Sequence, residues 1–179
     1  MLLPVRCSVA FLLLLALGSL AHSQEQSCNI DTLPSWARSA VGKKYPGWRL
    51  VQVSDLRSDD QTMWERTHRG KCPGLIVGHF ENESDSAYAI TLFQKTPRLR
   101  QLLAVIMAGP LTPKFRILSR PQEVAYLSVV SKLPPGRYSD AAGKPLRIRH
   151  ESISYEAIEA GEIIYYYGDG IYRAVQSSE

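Results

Sequence analysis

After residue 20, this sequence of 179 residues has no apolar run long enough to cross a membrane. A helix that spans a hydrocarbon core of ~30 Å needs about 20 predominantly apolar residues. The best later candidate, residues 102–108, has only the length of a strand. This absence argues against an integral membrane protein, and we expect no stable membrane insertion of the mature chain.

The one long apolar run lies at the start of the chain. Arg6 is followed by the uncharged residues 8–20 and then by small residues at Ala21 and Ser23. A charged region, an apolar region and a small-residue cleavage site follow one another in this order in secretory signals. With only 13 residues, the run is too short for a permanent anchor. We therefore expect residues 1–23 to be a cleaved signal peptide and the protein to be exported, to the periplasm or the cell exterior.

Neither sign of charge dominates the sequence. There are 21 Lys and Arg residues against 17 Asp and Glu residues, a formal net charge of +4. Removal of the signal peptide takes away Arg6 and no acid, which lowers the net charge to +3. The arginines are scattered along the chain, whereas a nucleic-acid binder gathers its basic residues in a patch or stripe. We therefore expect no nucleic-acid partner.

Recognisable catalytic signatures are absent as well. The sequence contains no G-x-S-x-G elbow, no H-E-x-x-H motif and no glycine-rich phosphate loop. The histidines of the mature chain are isolated, and the carboxylate pair Glu156 and Glu159 is of a kind common on solvated surfaces. No catalytic residue and no resident cofactor is therefore predicted. The alternative is a small hydrolase whose site is assembled only by folding.

Cysteine is scarce, and the few cysteines present are informative. Of the three in the chain, Cys7 belongs to the predicted signal, so the mature protein keeps Cys28 and Cys72. An even number of cysteines in an oxidising compartment favours a disulfide. The alternative is a zinc site that adds His68 and His79, whose ligand types suit zinc although no close Cys or His pair is present.

The pattern of apolar residues predicts an α+β fold in one domain, residues 24–179. A first helix should begin near Asp31 and Pro34 and end before Gly47, and a second should run from Ser58 to about Arg69. A strand over residues 48–53 between them would complete a helix–strand–helix unit.

The second half of the chain predicts a mostly antiparallel sheet. Strands are expected at residues 75–80, 87–93, 99–107, 115–118, 146–150, 153–158, 163–167 and 171–175. Residues 124–130 fit either a strand or a short helix. The Gly-Asp-Gly at residues 168–170, between two alternating aromatic runs, predicts a tight hairpin.

Residues 78–89 place acidic and amide side chains between two apolar runs. The segment resembles the loop D-F-N-G-D-G-x-x-D-Y-A of FG-GAP-type repeats and of an uncharacterised family of small exported bacterial proteins with one such hairpin. The resemblance implies a turn that wraps a calcium ion with oxygens of Glu81, Glu83 and Asp85. The sequence departs from this pattern at His79, Asn82, Ser84 and Ala87. The alternatives are a solvated turn without metal and, in a eukaryotic pathway, a glycan on the Asn82 acceptor site.

The last hairpin is rich in tyrosine, with rings on both of its faces. One face should be core, and the other could present an aromatic binding surface, for which Tyr166 and Tyr172 are the candidates. Together with export and the missing catalytic motifs, this favours a non-catalytic module that binds a protein or an envelope component. A metal-binding module using the acidic loop is the first alternative, and the small hydrolase is the second.

Overall fold

The computed structural model describes residues 28–177, so the predicted signal peptide lies outside the described residues. The helices are α1 (Ser35–Lys44) and α2 (Ser58–Thr67), with short 3-10 turns at Ile30–Thr32 and Val53–Asp55. None of these helices is long and apolar enough to span a bilayer. The strands within residues 28–177 are β1 (Arg49–Leu50), β2 (Leu75–Gly78), β3 (Ala87–Gln94), β4 (Arg100–Met107), β5 (Lys114–Glu123), β6 (Val129–Leu133), β7 (Gly136–Ser139), β8 (Pro145–Ile148), β9 (Ser152–Ala157), β10 (Gly161–Gly168) and β11 (Ile171–Gln176).

The strands form two larger antiparallel sheets and one separate hairpin. The first sheet has the order β1-β3-β4-β5, and β2 also pairs with β3. β2 and β1 share one edge of β3, where Leu75 lies opposite Ile90 and Leu50 lies opposite Leu92. The second sheet has the order β11-β10-β9-β6, and β7 pairs with β8. The fold is thus mostly antiparallel β-structure with two short α-helices, which is consistent with the α+β class.

The first sheet is buried on both faces. Along β4, Leu102 and Ala104 pack in the cluster beneath α1, whereas Leu103 and Val105 pack in the cluster shared with the second sheet. Successive side chains of a strand point to opposite faces, so a strand covered on both sides is apolar at nearly every position. This explains why residues 102–108 form an unbroken apolar run of strand length.

α2 covers one end of the interface between the sheets. Its Trp64 is 2% exposed and packs with Phe93 of the first sheet and Val129 of the second. The indole Nε1 donates a hydrogen bond to the Lys71 carbonyl oxygen at 3.0 Å. The polar edge of the buried ring is therefore satisfied.

The predicted disulfide between Cys28 and Cys72 is confirmed, with an S–S distance of 2.03 Å. It ties the segment before α1 to the segment before β2, and Cys72 is buried in the cluster beneath α1. The zinc alternative with His68 and His79 is wrong, because both thiols are used in the disulfide and a zinc ligand must be a thiolate.

The helix–strand–helix unit is not confirmed, although α1 and α2 lie close to their predicted places. The strand between them pairs only over Arg49–Leu50, and the chain then turns into the 3-10 segment Val53–Asp55. The Asp55 carboxylate accepts a hydrogen bond from the Gln52 backbone N–H at 3.2 Å, which favours the turn. The two helices pack in different clusters, so they do not form one unit.

Two segments of the second half need comment. Residues 124–130 fitted either a strand or a short helix, and the structure has strand β6 only from Val129, with residues 124–128 in neither element. β5 continues through Pro121, beyond the predicted residues 115–118. Proline has no backbone N–H to donate, and an edge strand such as β5 tolerates this because one of its sides has no neighbouring strand. The last hairpin forms as predicted: Asp169 and Gly170 both have positive φ, 53° and 83°, as a two-residue type I′ turn requires.

Candidate functional site

Three adjoining clefts run along the side of the molecule where the two sheets meet, and we call them together the seam groove. The first, of about 270 Å³, has walls that include Trp64, His68, Ile76, Val77, Val130 and Lys132. The second, of about 420 Å³, is lined by Val77, His79, Lys132, Arg149, His150 and Glu151 among others. The third, of about 390 Å³, includes Arg147, Arg149, His150, Tyr166 and Arg173. Val77 and Lys132 are common to the first two clefts, and Arg149 and His150 to the last two, so neighbouring clefts share a wall.

The first cleft is the apolar end of the seam groove. Its floor carries Ile76 and Val130 from the strands, and Val77 is 38% exposed. His68 stacks on Trp64 with a ring-centroid separation of 4.1 Å and an interplanar angle of 12°. Burial, and secondarily the charge of Lys71, lowers the pKa of His68. This end therefore combines apolar walls and a histidine that favours its neutral form with the charged side chains of Lys71 and Lys132.

The middle of the groove is held together by Glu151. One carboxylate oxygen accepts a hydrogen bond from the backbone N–H of His79 at 2.7 Å, and the other lies 2.8 Å from Nζ of Lys132. Burial alone would raise the pKa of Glu151, but these two contacts outweigh it and lower the pKa. Glu151 therefore links the end of β2 to β6 where the first and second clefts meet.

The third cleft is the basic end of the seam groove. Arg173 pairs with Asp169 at 2.6 Å, but Arg147 and Arg149 form no ion pair with any residue in the range 28–177. Arg137 lies directly opposite Arg147 in the β7–β8 ladder, so two like charges face each other across the hairpin. Such a pair is destabilising unless a negative group lies between the charges.

A neighbouring histidine adds a second unsatisfied group to this end. His150, at the junction of the second and third clefts, has a buried Nδ1 atom without a hydrogen-bond partner in the described part of the chain. Beside it, the guanidinium groups of Arg147 and Arg149 form a wall of donors. Guanidinium groups bind carboxylates and phosphates through two parallel hydrogen bonds, so this end of the groove is suited to an anionic ligand.

The sequence contained a signal for this cluster that composition does not reveal. Arg147 and Arg149 alternate with Leu146 and Ile148, and residues two apart on a strand point to the same side. The arginines look scattered along the chain, but the β7–β8 and β10–β11 hairpins bring Arg147, Arg149 and Arg173 together.

The acidic loop joins β2 to β3, with the three predicted calcium ligands in different surroundings. Glu81 pairs with Arg116 at 3.3 Å, and Asp85 accepts a hydrogen bond from the side-chain amide of Asn82 at 3.0 Å. Glu83 lines the second cleft. Within residues 28–177 no three His, Cys, Asp or Glu side chains are grouped so that they could hold a metal ion. The FG-GAP resemblance and calcium binding stay predictions.

Tyr166 and Tyr172 do not share a surface. Tyr166 lies opposite Arg173 and lines the basic end of the groove, whereas Tyr172 lies opposite Tyr167 and packs in the cluster between the two sheets. Cross-strand partners point to the same face, and neighbours along a strand point to opposite faces. Of the two predicted residues only Tyr166 lines the groove, where Tyr167 also contributes to the wall.

Folding brings together one serine–histidine pair that the sequence did not indicate. The Ser86 hydroxyl lies 3.4 Å from Nε2 of His79, and both side chains line the second cleft. In residues 28–177 no carboxylate is hydrogen-bonded to the His79 ring, so the group that orients the base in a catalytic triad is missing.

The carboxylate pair Glu156 and Glu159 lies outside the seam groove. Glu156 lies in β9 opposite Glu162, and Glu159 lies in the turn after β9. Neither Glu156 nor Glu159 lines any of the three clefts.

Comparison with known proteins found no matching family model, no similar curated protein and no similar solved structure. What the seam groove can bind follows from its own residues.

Proposed function

We propose that the mature chain is an exported, non-catalytic binding module whose ligand is an acidic group on another protein or on an envelope component. The observation that carries the proposal is the uncompensated charge of the β7–β8 hairpin, where Arg137 faces Arg147 across the ladder and Arg149 follows two residues later. The two acids that line the same cleft, Glu81 and Asp169, are paired with Arg116 and Arg173, and an anionic ligand would relieve the repulsion between Arg137 and Arg147.

The energetic argument concerns where binding energy can be gained. An exposed ion pair within a folded protein contributes only about 0 to 1 kcal/mol. A carboxylate or phosphate held between two guanidinium groups in a cleft gains charge-assisted, bidentate hydrogen bonds, which are roughly twice as strong as neutral ones. Arg147 and Arg149 line the same cleft and have no competing partner in the described chain, so their hydrogen-bonding capacity is free for a ligand.

Three further observations support the rest of the proposal. The Cys28–Cys72 disulfide is consistent with an oxidising compartment outside the cytosol. Among residues 28–177 no carboxylate orients the His79 ring of the Ser86 and His79 pair, and this supports binding over hydrolysis. Tyr166 adds an aromatic wall beside Arg173, and such tyrosines are enriched in binding surfaces.

The test compares two double variants that remove the same charge from different places. Arg147→Gln with Arg149→Gln alters the basic end of the groove, whereas Arg66→Gln with Arg69→Gln alters exposed arginines at the end of α2. Binding of fluorescein-labelled poly-L-glutamate and of polygalacturonate is measured by anisotropy at low and at physiological ionic strength. We expect the groove variant to lose about tenfold in affinity for at least one polymer, and the α2 variant about twofold or less.

Stability provides an independent readout in the same experiment. Because Arg137 and Arg147 repel each other, Arg147→Gln alone should leave the free energy of unfolding unchanged or raise it by about 0.2 to 1 kcal/mol while binding weakens. Equal losses of affinity in both double variants, or no binding of either polymer by the parent protein, would refute the proposal.

A further inference from the structure

The second sheet ends at β11, which pairs with β10 alone among the strands in residues 28–177. The Ser177 N–H donates to the Glu162 carbonyl oxygen of β10 at 3.1 Å. In an antiparallel ladder hydrogen-bonded pairs alternate with non-bonded pairs. Tyr172, Ala174 and Gln176 are therefore in non-bonded pairs, and their N–H and C=O groups point away from β10 at the outer edge of the sheet.

The chain itself uses one end of this edge. The Ala141 N–H donates to the Gln176 carbonyl oxygen at 2.9 Å, and Asp140 forms an antiparallel bridge with Ser177. The chain then turns away into β8. In the described part of the chain, the outward groups within residues 172–174 have no backbone hydrogen-bond partner. The edge thus accepts an antiparallel strand at one end and is open along the rest of its length.

The last strand of the first sheet, β5, is protected in a way that β11 is not. β5 contains Pro121, which has no N–H to donate, and its register with β4 shifts on both sides of Leu103. Prolines and bulges protect an edge against strand addition. β11 has neither a proline nor a register shift, and Arg173 is its only charged residue. An edge of this kind is a template for an added strand.

The side chains of β11 favour an acidic strand. Arg173 lines the third cleft together with Arg147 and Arg149. Cross-strand neighbours point to the same face, so a side chain opposite Arg173 in an added strand is directed to the face that carries the basic end of the seam groove. Ala174 points to the other face and is small and exposed, and Ile171 is 59% exposed. The edge therefore lies at the surface, with charge on one face and space for apolar side chains on the other.

We propose that β11 binds an extended segment of a partner protein as an added antiparallel strand. Acidic side chains at alternate positions of this segment face Arg173 and the basic end of the seam groove. This inference rests on the proposed function and names its ligand class as an acidic peptide in strand conformation.

Charge and backbone chemistry favour such a peptide over two other occupants. A second copy of the chain, paired through its own β11, would bring two Arg173 side chains and two basic clefts together, and like charges across a ladder are destabilising. A polysaccharide lacks the regular N–H and C=O groups that an added strand offers to a sheet edge. An acidic peptide supplies both the backbone groups and the opposite charge.

The experiment uses a fluorescein-labelled peptide of about eight residues in which Glu and Val alternate. In a strand this peptide has every Glu on one face and every Val on the other. The control has the same composition with all Glu residues before all Val residues, so it divides its acids between the two faces. We expect the alternating peptide to bind at least about fivefold more tightly in anisotropy measurements at physiological ionic strength.

N-methylation of the peptide locates the hydrogen bonds. In an antiparallel added strand, residues opposite Tyr172 and Ala174 turn their N–H groups to β11, whereas a residue opposite Arg173 turns its N–H to solvent. When Glu faces Arg173, the Val residues are the ones that donate. We expect N-methyl groups on the Val residues to weaken binding about tenfold, and those on the Glu residues about twofold or less. Equal effects of the two patterns would overturn the antiparallel added strand.

A protein variant tests the same hydrogen bonds from the other side. Ala174→Pro removes an outward N–H, while the ladder to β10 uses the backbone groups of Arg173 and Val175. Ala174→Ser is the matched control, since it keeps the N–H and a small side chain. We expect about a tenfold loss of peptide affinity for Ala174→Pro and about twofold or less for Ala174→Ser. If Ala174→Pro does not fold, as judged by circular dichroism, the methylated peptides decide alone.

The outcomes separate this inference from the proposed function. Binding of polygalacturonate that depends on Arg147 and Arg149, with no binding of the alternating peptide, would overturn strand addition and leave the acidic-ligand function intact. Peptide binding that does not depend on these two arginines would overturn the proposed function itself. A parent protein that is a dimer by light scattering, and a monomer as Ala174→Pro, would overturn the peptide in favour of a second copy.

Discussion

The rings of Tyr167 and Tyr172 meet edge to face across the β10–β11 ladder, with their centroids 5.2 Å apart. The pair places Tyr172 on the inner side of the hairpin, where it packs in the cluster between the two sheets. Tyr166, the neighbour of Tyr167, points to the opposite face of the sheet, and both residues line the basic end of the seam groove. Two tyrosines of one hairpin therefore have different roles, one in stability and one in binding.

Substitution of these tyrosines should separate the two roles. Tyr166→Ala is expected to weaken binding of the acidic probe about fivefold and to change the free energy of unfolding by about 1 kcal/mol or less. Tyr172→Ala removes a packed ring and should cost about 2 to 4 kcal/mol. Tyr172→Phe removes a buried hydroxyl that has no hydrogen-bond partner in residues 28–177, so it should be neutral or stabilising. Urea unfolding and anisotropy measure both effects, and a stability loss for Tyr166→Ala as large as that for Tyr172→Ala would contradict the assignment.

Two glycines should respond to alanine in opposite ways. A Cβ at Gly74 would lie 2.7 Å from the backbone nitrogen of Val51 and closer still to its carbonyl oxygen. Val51 cannot yield easily, because it is fully buried and its N–H is bonded to Thr91. Gly74→Ala should therefore cost about 3 kcal/mol. Gly42, within α1, has open space around it, and Gly42→Ala should stabilise by about 0.5 to 1 kcal/mol. Thermal unfolding of both variants checks the prediction. A Gly74→Ala protein as stable as the parent would contradict the close contact between Gly74 and Val51.

Reduction of the disulfide should destabilise the protein substantially. Cys28 and Cys72 are separated by 44 positions, and cross-linking a loop of this size restricts the unfolded chain by about 4 kcal/mol in the chain-entropy model. Cys28→Ala with Cys72→Ala should lower the free energy of unfolding by a similar amount. Intact mass provides the control: the oxidised protein should gain two hydrogens on reduction, and alkylation of both cysteines in the native state would contradict the bond.

Alkaline pH should unfold the protein through its buried tyrosines. Burial raises the pKa of Tyr155 from 10.0 to about 12, and it also raises the pKa of Tyr172. Below pH 10 both the folded and the unfolded state keep the Tyr155 proton. Between pH 10 and 12 only the folded state keeps it, so the free energy of unfolding falls by about 1.4 kcal/mol per pH unit for this group. Urea unfolding from pH 8 to 12 should show at least this slope, and Tyr155→Phe should reduce the slope by this amount. An equal slope in Tyr155→Phe would mean that other groups cause the loss of stability at alkaline pH.

The sequence was sufficient to predict the elements that depend on a few neighbouring residues. The last hairpin follows from Asp169 and Gly170, because few residues accept positive φ and a two-residue turn needs two of them in succession. α2 follows from the acidic residues of its first turn and from Gly70 just beyond its end. The disulfide follows from the two cysteines in residues 24–179.

Long-range pairing decided what local pattern left open. Residues 48–53 have the alternation of a strand, yet the ladder with β3 covers Arg49–Leu50 and ends at the bond from the Val51 N–H to Thr91, because β2 occupies the rest of the same edge. The helix–strand–helix unit was predicted from neighbouring segments, and it is not confirmed because each helix packs against a different cluster.

The candidate site shows the same division. The sequence by itself determined which side chains are available: the alternating arginines at 147 and 149, the tyrosines of the last hairpin and the apolar residues of β2. Only the tertiary structure decided that Arg147, Arg149 and Arg173 line one cleft, that Tyr166 faces it while Tyr172 does not, and that β2 and β6 meet without pairing. Each of these relationships joins residues far apart in the chain, and such contacts depend on how whole sheets stack, which no local periodicity encodes.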